Sequence, residues 1–485
     1  MEGWENWRFA NDFAYFHTKK YFEYQEIYAT LILHDKIKES GDCSMSGLFR
    51  ALHRTKVFRN LTEQEFAWVL YDVGNSAFVL MVSTILPVYF NYLAQNAGVS
   101  DVDYLAYWGY AASISTLIVA VLGPVMGTLA DTRGFKKPLF LSCILVGCAG
   151  CLLMGLTTWW ISFLVIFIIA KVGFNSSLVF YDSMLSDVTA PERMDRVSSS
   201  GYAWGYAGSC IPFVVSLVFV LGYQKMGFSF ETGMMIAFAV VAVWWLVMSL
   251  PLMKQYRQVH YVERKPHAMR ESVGRIIETL RSVRKQKKIF LFLIAFFFFI
   301  DGVYTIIDMA TAYGSALGLD STGLLLALLV TQFVAFPFSI LFGRLAEKYD
   351  TGKLILTCIA AYTGITVFAV FMKAQWQFWV LAIFVGMFQG GIQALSRSYF
   401  AKIVPPERSG EYFGLMDICG KGASFMGTTV VGLTSQAFGS INIGVSAIVF
   451  LFLAGALFFM KTEHSGSEST KNQENVIMEQ QMFHD

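Results

Sequence analysis

Nine residues have the chemistry of a binding site but sit in surroundings where such groups are costly. Asp72, Asn75, Lys171, Asn175, Asp301, Asp308, Gln393, Arg397 and Lys421 each fall inside an apolar run long enough to cross a bilayer. Carboxylates can hold an ammonium group or exchange a proton. Lysine and arginine can hold a carboxylate or another anion, and amides fix orientation. A charged side chain in hydrocarbon is expensive unless it faces water or a partner, so these groups line a polar path or neutralise one another. Asp72 and Asn75 lie one turn apart on one helix face, with Asp72 about 9 Å inside the start of its run by helical rise. Lys171 and Asp301 lie about 16 and about 18 Å inside theirs, near mid-bilayer. Asp301 and Asp308, seven residues apart, share a face.

Each group supports two readings. Asp72 is either a structural acceptor near the end of its helix or a solute contact. Asp301 suits reversible protonation, or it forms a static ion pair with Lys171 or Lys421. Arg397 meets a solute carboxylate, or it latches to an acid such as Asp72 or Asp182. Asp417 and Lys421, spaced i,i+4, either neutralise each other or send Lys421 into the cavity. All seven histidines fall outside the apolar runs, so proton traffic, if present, belongs to carboxylates. The sequence holds no HExxH and no Gly-rich phosphate loop; no cofactor, no metal and no enzymatic activity are expected.

The elements that must position these residues are membrane spans. The chain has 485 residues, 55% of them hydrophobic and 15% charged, and a mean hydropathy of +0.52. A soluble core cannot hide that much apolar surface. An all-α polytopic membrane protein is expected, with twelve spans near 66–93, 104–129, 138–158, 160–185, 197–221, 232–253, 289–313, 322–346, 353–373, 376–401, 411–436 and 441–460. The seven cysteines lie almost wholly in apolar runs and read as packing residues, the CxxC of Cys148 and Cys151 included. Glycine pairs at Gly123/Gly127, Gly201/Gly205 and Gly386/Gly390 favour close helix approach.

Basic residues collect in alternate loops: Arg133, Lys136 and Lys137; Arg193 and Arg196; Lys348 and Lys353; Lys402 and Arg408. The positive-inside rule then places both termini in the cytoplasm; if the source is bacterial, the membrane expected is the plasma (inner) membrane. Residues 254–288 carry eleven Lys/Arg against three Glu. This basic cytoplasmic linker, expected to hold an amphipathic helix on the lipid surface, separates bundles at 62–253 and 289–460. Residues 1–61 are expected to form a cytoplasmic extension without a span or an apolar signal segment, and the Thr62-x-x-Glu65 capping box that follows starts span one. Residues 461–485 read as a disordered polar tail.

The two bundles are repeats. SDVTAPERMDRVSSSGYAWGYAGS from Ser186 aligns without a gap with AKIVPPERSGEYFGLMDICGKGAS from Ala401 at an offset of 215. GTLADTRGFKK from Gly127 is echoed by GRLAEKYDTGK from Gly343, with Asp131 opposite Glu347. Two parallel six-helix halves with a midplane cavity follow. GTLADTRGFKK resembles the loop motif of major facilitator superfamily transporters. WVLYDVGNSAF, FYDSMLSDVTAPER, FFIDGVYT and GGIQALSRSYFAKIVPPERSGEYFGL, in that order, resemble the branch containing the fungal vacuolar amino-acid effluxers and their bacterial relatives.

The resemblance covers roughly residues 62–460. It implies the major facilitator fold and alternating access, with spans one, four, seven and ten lining the cavity. It also implies a gating role for Gly127, Asp131, Arg133, Gly134 and Lys136, with Gly343 and Glu347 as a divergent second copy. The implied activity is secondary transport of a small polar solute, amino acids in efflux among the candidates, with possible proton coupling. A monomer in contact with membrane lipids is expected, without nucleic acid. The alternatives are export of another metabolite or drug, or a transporter-fold receptor or scaffold without flux.

Overall fold

Hydrocarbon offers no partner to backbone N–H and C=O groups, so apolar runs of this length fold as helices that satisfy their own backbone. The computed structural model describes residues 45–55, 58–263, 279, 281–316, 319 and 321–482. Its contacts divide the chain into a short unit ending at Phe66 and a second from Ala67 onward. In the short unit, α1 spans Met45–His53. Thr62 and Glu65 form the expected box: the Thr62 N–H donates to Glu65 Oε2 at 2.7 Å, and the Glu65 N–H donates to Thr62 Oγ at 3.2 Å.

The remaining helices are α2 Glu63–Ser83, α3 Ile85–Asn96, α4 Asp101–Ala130, α5 Lys136–Met154, α6 Trp160–Ser183, α7 Leu185–Val188, α8 Met194–Gly222, α9 Phe230–Gln255, α10 Lys287–Ala316, α11 Ser321–Leu345, α12 Thr351–Val370, α13 Gln375–Ile403, α14 Ser409–Phe438 and α15 Ile441–Met482. Eleven described helical segments are long and apolar enough to cross a membrane. The expected eleventh span, α14, is outside that set; it carries Glu411, Asp417 and Lys421. With it the helices make twelve spans.

The first span differs from the single helix expected. It breaks at Thr84 into α2 and α3. Pro87 has no N–H for the Ser83 carbonyl and its ring crowds that group, which ends the first segment. The tail differs as well: α15 continues to Met482 instead of ending near 460. No proline interrupts it, and extending a nucleated helix is cheap. Tyr399 donates a hydrogen bond to Glu463, anchoring its first polar turn. Residues 1–44 and most of the basic stretch before α10 lie outside the described residues.

The N-terminal half, α2 to α9, meets the C-terminal half, α10 to α15, along seams of small residues. Helix α4 runs along α14, and α8 packs on α11 and α13. A Cβ on Gly127 would lie 2.1 Å from the Gly410 carbonyl oxygen, and one on Gly414 2.8 Å from that of Gly123. Only glycine permits this backbone contact. The described cysteines are free thiols, five of them buried.

Candidate functional site

Arg397 projects from α13 of the C-terminal half into a pocket built by the N-terminal half. Its Nη2 lies 3.3 Å from Asp72 Oδ2 on α2, and its Nη1 3.1 Å from Asp182 Oδ1 on α6. Nε donates to Ser198 Oγ at 2.9 Å, and Nη2 donates to the Ser198 carbonyl at 3.0 Å on α8. The guanidinium also faces the rings of Trp68, Tyr181 and Tyr202, at 4.6, 5.3 and 4.4 Å. Asp72 is buried beside Asn75, whose amide donates to Asp72 Oδ1 at 3.3 Å. Gly201 makes room for the group: a Cβ there would sit 2.6 Å from Asp72 Oδ2. One buried cation therefore joins two carboxylates across the two halves. The planar fork of arginine suits that task, and a lysine could not reproduce it. Asp182 and Arg397 occupy equivalent positions in the two repeats, 215 residues apart.

Asp301 is fully buried on α10. Its Oδ1 accepts from the Gly427 N–H of α14 at 2.9 Å and from Thr305 Oγ at 3.3 Å. Its Oδ2 has no hydrogen-bond partner among the described residues. Among the described residues no cation pairs with it, so the expected alternative of a pair with Lys171 is not formed. Lys421, the other expected partner, lies on α14 with its side chain outside the described residues. Lys171 is half-buried, its ammonium 5.6 Å from the centre of the Phe167 ring. Asn175 is buried on α6, and Asp308 is exposed on α10. Gln393 is half-buried and donates to the Gln389 carbonyl at 3.3 Å. Of the nine residues, the described contacts gather Asp72, Asn75 and Arg397.

The loop motif builds a second inter-half contact, at the end of the helices where the basic loops lie. Asp131 ends α4 and is fully buried. Its Oδ1 accepts from the Gly410 N–H at 2.8 Å and its Oδ2 from the Glu411 N–H at 2.9 Å. These are orphan donors in the first turn of α14, where a carboxylate is favoured. Lys136 Nζ, also fully buried, lies 3.7 Å from Asp131 and 3.6 Å from Asp187, and donates to Ser409 Oγ at 3.1 Å. Gly134 takes φ of +81°, the left-handed turn that glycine permits. Arg133 points away from this junction and pairs with Glu263 at 3.5 Å, both exposed.

The second copy meets the start of α8. Glu347 pairs with Arg196 at 3.1 Å, both partly exposed. Buried Asp195 accepts from Thr351 Oγ at 2.8 Å, from Ser398 Oγ at 2.5 Å and from Lys402. Gly343 packs on Ser199, where an added Cβ would lie 2.8 Å from the serine Cβ. Sequence reasoning had not singled out Asp187, Asp195, Ser198 or Ser398. Asp187 and Asp195 stand inside the repeated segment, opposite Lys402 and Gly410; reading that alignment for charge differences marks both, Asp187 as a reversal and Asp195 as a charge facing none.

The profile of the family described as "Vacuole effluxer Atg22 like" matches residues 62–192 and 186–471. The chain belongs to this family. It is 39% identical over 426 residues to the uncharacterized MFS-type transporter YxiO of Bacillus subtilis, covering 87% of this chain and all of that protein. It is 26% identical over 292 residues to autophagy-related protein 22-2 of Aspergillus clavatus, covering 54% of this chain and 46% of the fungal protein. The solved structure of FucP, a major facilitator superfamily transporter in the outward conformation, superposes with a TM-score of 0.61. That match has 13% identity and covers 82% of this chain and 98% of that one; it shows the fold. The Atg22-like chain is thus an MFS-type transporter, a multi-pass integral membrane protein and not an enzyme.

Proposed function

We propose that this transporter moves a small zwitterionic solute, an amino acid, outward by alternating access, and that Asp301 couples the movement to protons. The observation that carries the reading is Arg397 held between Asp72 and Asp182 across the two halves. When the halves part at this depth, the guanidinium leaves with one half and the carboxylates stay with the other. A solute bearing a carboxylate and an ammonium group complements both faces, with Trp68, Tyr181 and Tyr202 as a cation-binding wall.

Asp301 supports coupling by its asymmetry. One oxygen takes two donors and the other takes none. Among the described residues no side chain occupies Oδ2, so that oxygen is where a proton would be taken up and released. The basic loops lie on the cytoplasmic side in this reading, so the described state is closed to the cytoplasm and both termini face it. The protein acts as a monomer in the plasma membrane of a bacterium.

The test uses purified protein in proteoliposomes with a pH-sensitive dye inside, an imposed pH gradient, and amino acids added in small pools. A pool that dissipates the gradient supports the reading. In Asp301→Asn that response disappears while the protein stays monodisperse; unchanged proton coupling in this variant sinks the proton site. Silence to every amino-acid pool, with a response to another metabolite or drug, would overturn the substrate.

A further inference from the structure

We propose that Tyr256–Glu263, the segment leaving the sixth span toward the basic linker, is a strap that holds the Asp131 junction in its closing geometry, with Asp187 as its positioning residue. The Asp187 side chain is fully buried at the end of the fourth span. The strap supplies most of its donors. Tyr256 donates its hydroxyl to Oδ2 at 2.5 Å. The backbone N–H groups of Val259 and His260 donate to Oδ1 at 3.2 and 2.8 Å, and His260 Nδ1 lies 3.1 Å from the same oxygen. The remaining charge of Asp187 faces Lys136, which donates to Ser409 of the other half.

The same segment grips the other acid of the triad through its backbone. The Val262 N–H donates to the Asp131 carbonyl at 2.8 Å, and the Arg133 N–H donates back to the Val262 carbonyl at 3.1 Å. Gln258 donates to the Ala130 carbonyl at 3.0 Å and accepts from the Gly134 N–H at 2.9 Å. The Arg133 guanidinium covers the Tyr261 ring at 5.0 Å. The strap therefore fixes both acids that share Lys136, through hydrogen bonds that all end in the N-terminal half. Loosening it leaves every inter-half contact in place chemically but removes the preorganisation that aims Asp131 and Lys136 at α14.

The experiment measures the distance across the basic-loop end by double electron–electron resonance. Nitroxides are placed at Glu192→Cys and Glu407→Cys, with Cys43 and Cys419 changed to Ser. His260→Ala and Tyr256→Phe are each expected to raise the ratio of open to closed populations about fivefold, the net contribution of one buried hydrogen bond. Val262→Pro, which deletes the N–H on the Asp131 carbonyl and leaves Asp187 alone, is expected to act in the same direction. Asp187→Asn has the larger effect, and adding His260→Ala to it changes little, because both act through one carboxylate. Unchanged populations in His260→Ala and Val262→Pro overturn the proposal, as does full additivity with Asp187→Asn. His260 is partly exposed, so its alanine variant keeps the test open should Tyr256→Phe fail to fold. The readout needs no solute, so it stands or falls apart from the amino-acid reading.

Discussion

The two junctions at the basic-loop end come from one repeat, yet they close the molecule by different physics. In the first, Asp131 caps the backbone of α14, and Lys136 and Asp187 complete a charge triad with no solvent exposure. In the second, Glu347 meets Arg196 with side chains 44% and 35% exposed, and buried Asp195 meets a partly exposed Lys402. The equivalent of Asp131 has become a solvated ion pair, and the residue opposite Asp195 is the glycine whose N–H Asp131 accepts. A buried network is little screened and costly to break, whereas an exposed pair is worth little. In the proposed alternating-access reading, the first junction dominates closure and the second trims it.

The comparison breaks most sharply on Asp131→Ala. It strips two N–H groups of their acceptor and leaves Lys136 with Asp187 and the Ser409 hydroxyl, destabilising the closed state by about 3–5 kcal/mol. The Glu192–Glu407 label distance should lengthen in nearly all molecules; a wild-type distribution contradicts the hierarchy. Gly127→Ala drives a methyl into the Gly410 carbonyl and should cost the closed state about 1–3 kcal/mol. The same distance reports it, and an unaltered one removes the seam from the account. Lys402→Met takes one donor from Asp195, which keeps Thr351 and Ser398, for about 1 kcal/mol. Glu347→Gln should have the smallest effect, under about 1 kcal/mol, and should vanish at about 1 M salt. Equal effects from Asp131→Ala and Glu347→Gln would erase the distinction between the junctions.

Much of the frame was legible in the sequence. Apolar run length gave the spans, because hydrocarbon leaves the backbone few options. The 215-residue offset points to two halves, and of the i,i+4 glycine pairs Gly123/Gly127 lies on the seam with Gly414 and Gly410. The site was legible only in part. Asp72, Asn75 and Arg397 are conspicuous because polar groups in spans are rare, and the acids expected for Arg397, Asp72 and Asp182, are the ones it touches. The aromatic wall was hidden, since Trp68, Tyr181 and Tyr202 look like ordinary apolar residues until the helices pack. Asp187 was hidden because half of its contacts from Tyr256–Glu263 are backbone N–H groups, which every sequence has, and the others come from residues about seventy positions away. Asp301 stood out as buried, but its bare oxygen is a matter of packing against Gly427.

The claim at the centre of the account is that a solute takes over the charges Arg397 holds. Flux of the responding amino-acid pool in proteoliposomes of Arg397→Gln, compared with wild type, tests it most directly. The substitution keeps a hydrogen-bonding side chain and removes the charge that would meet the solute carboxylate. The account predicts a monodisperse protein with amino-acid flux lowered at least about tenfold, the loss of one charged hydrogen bond. Wild-type flux in Arg397→Gln would contradict it and leave Arg397 as a latch alone.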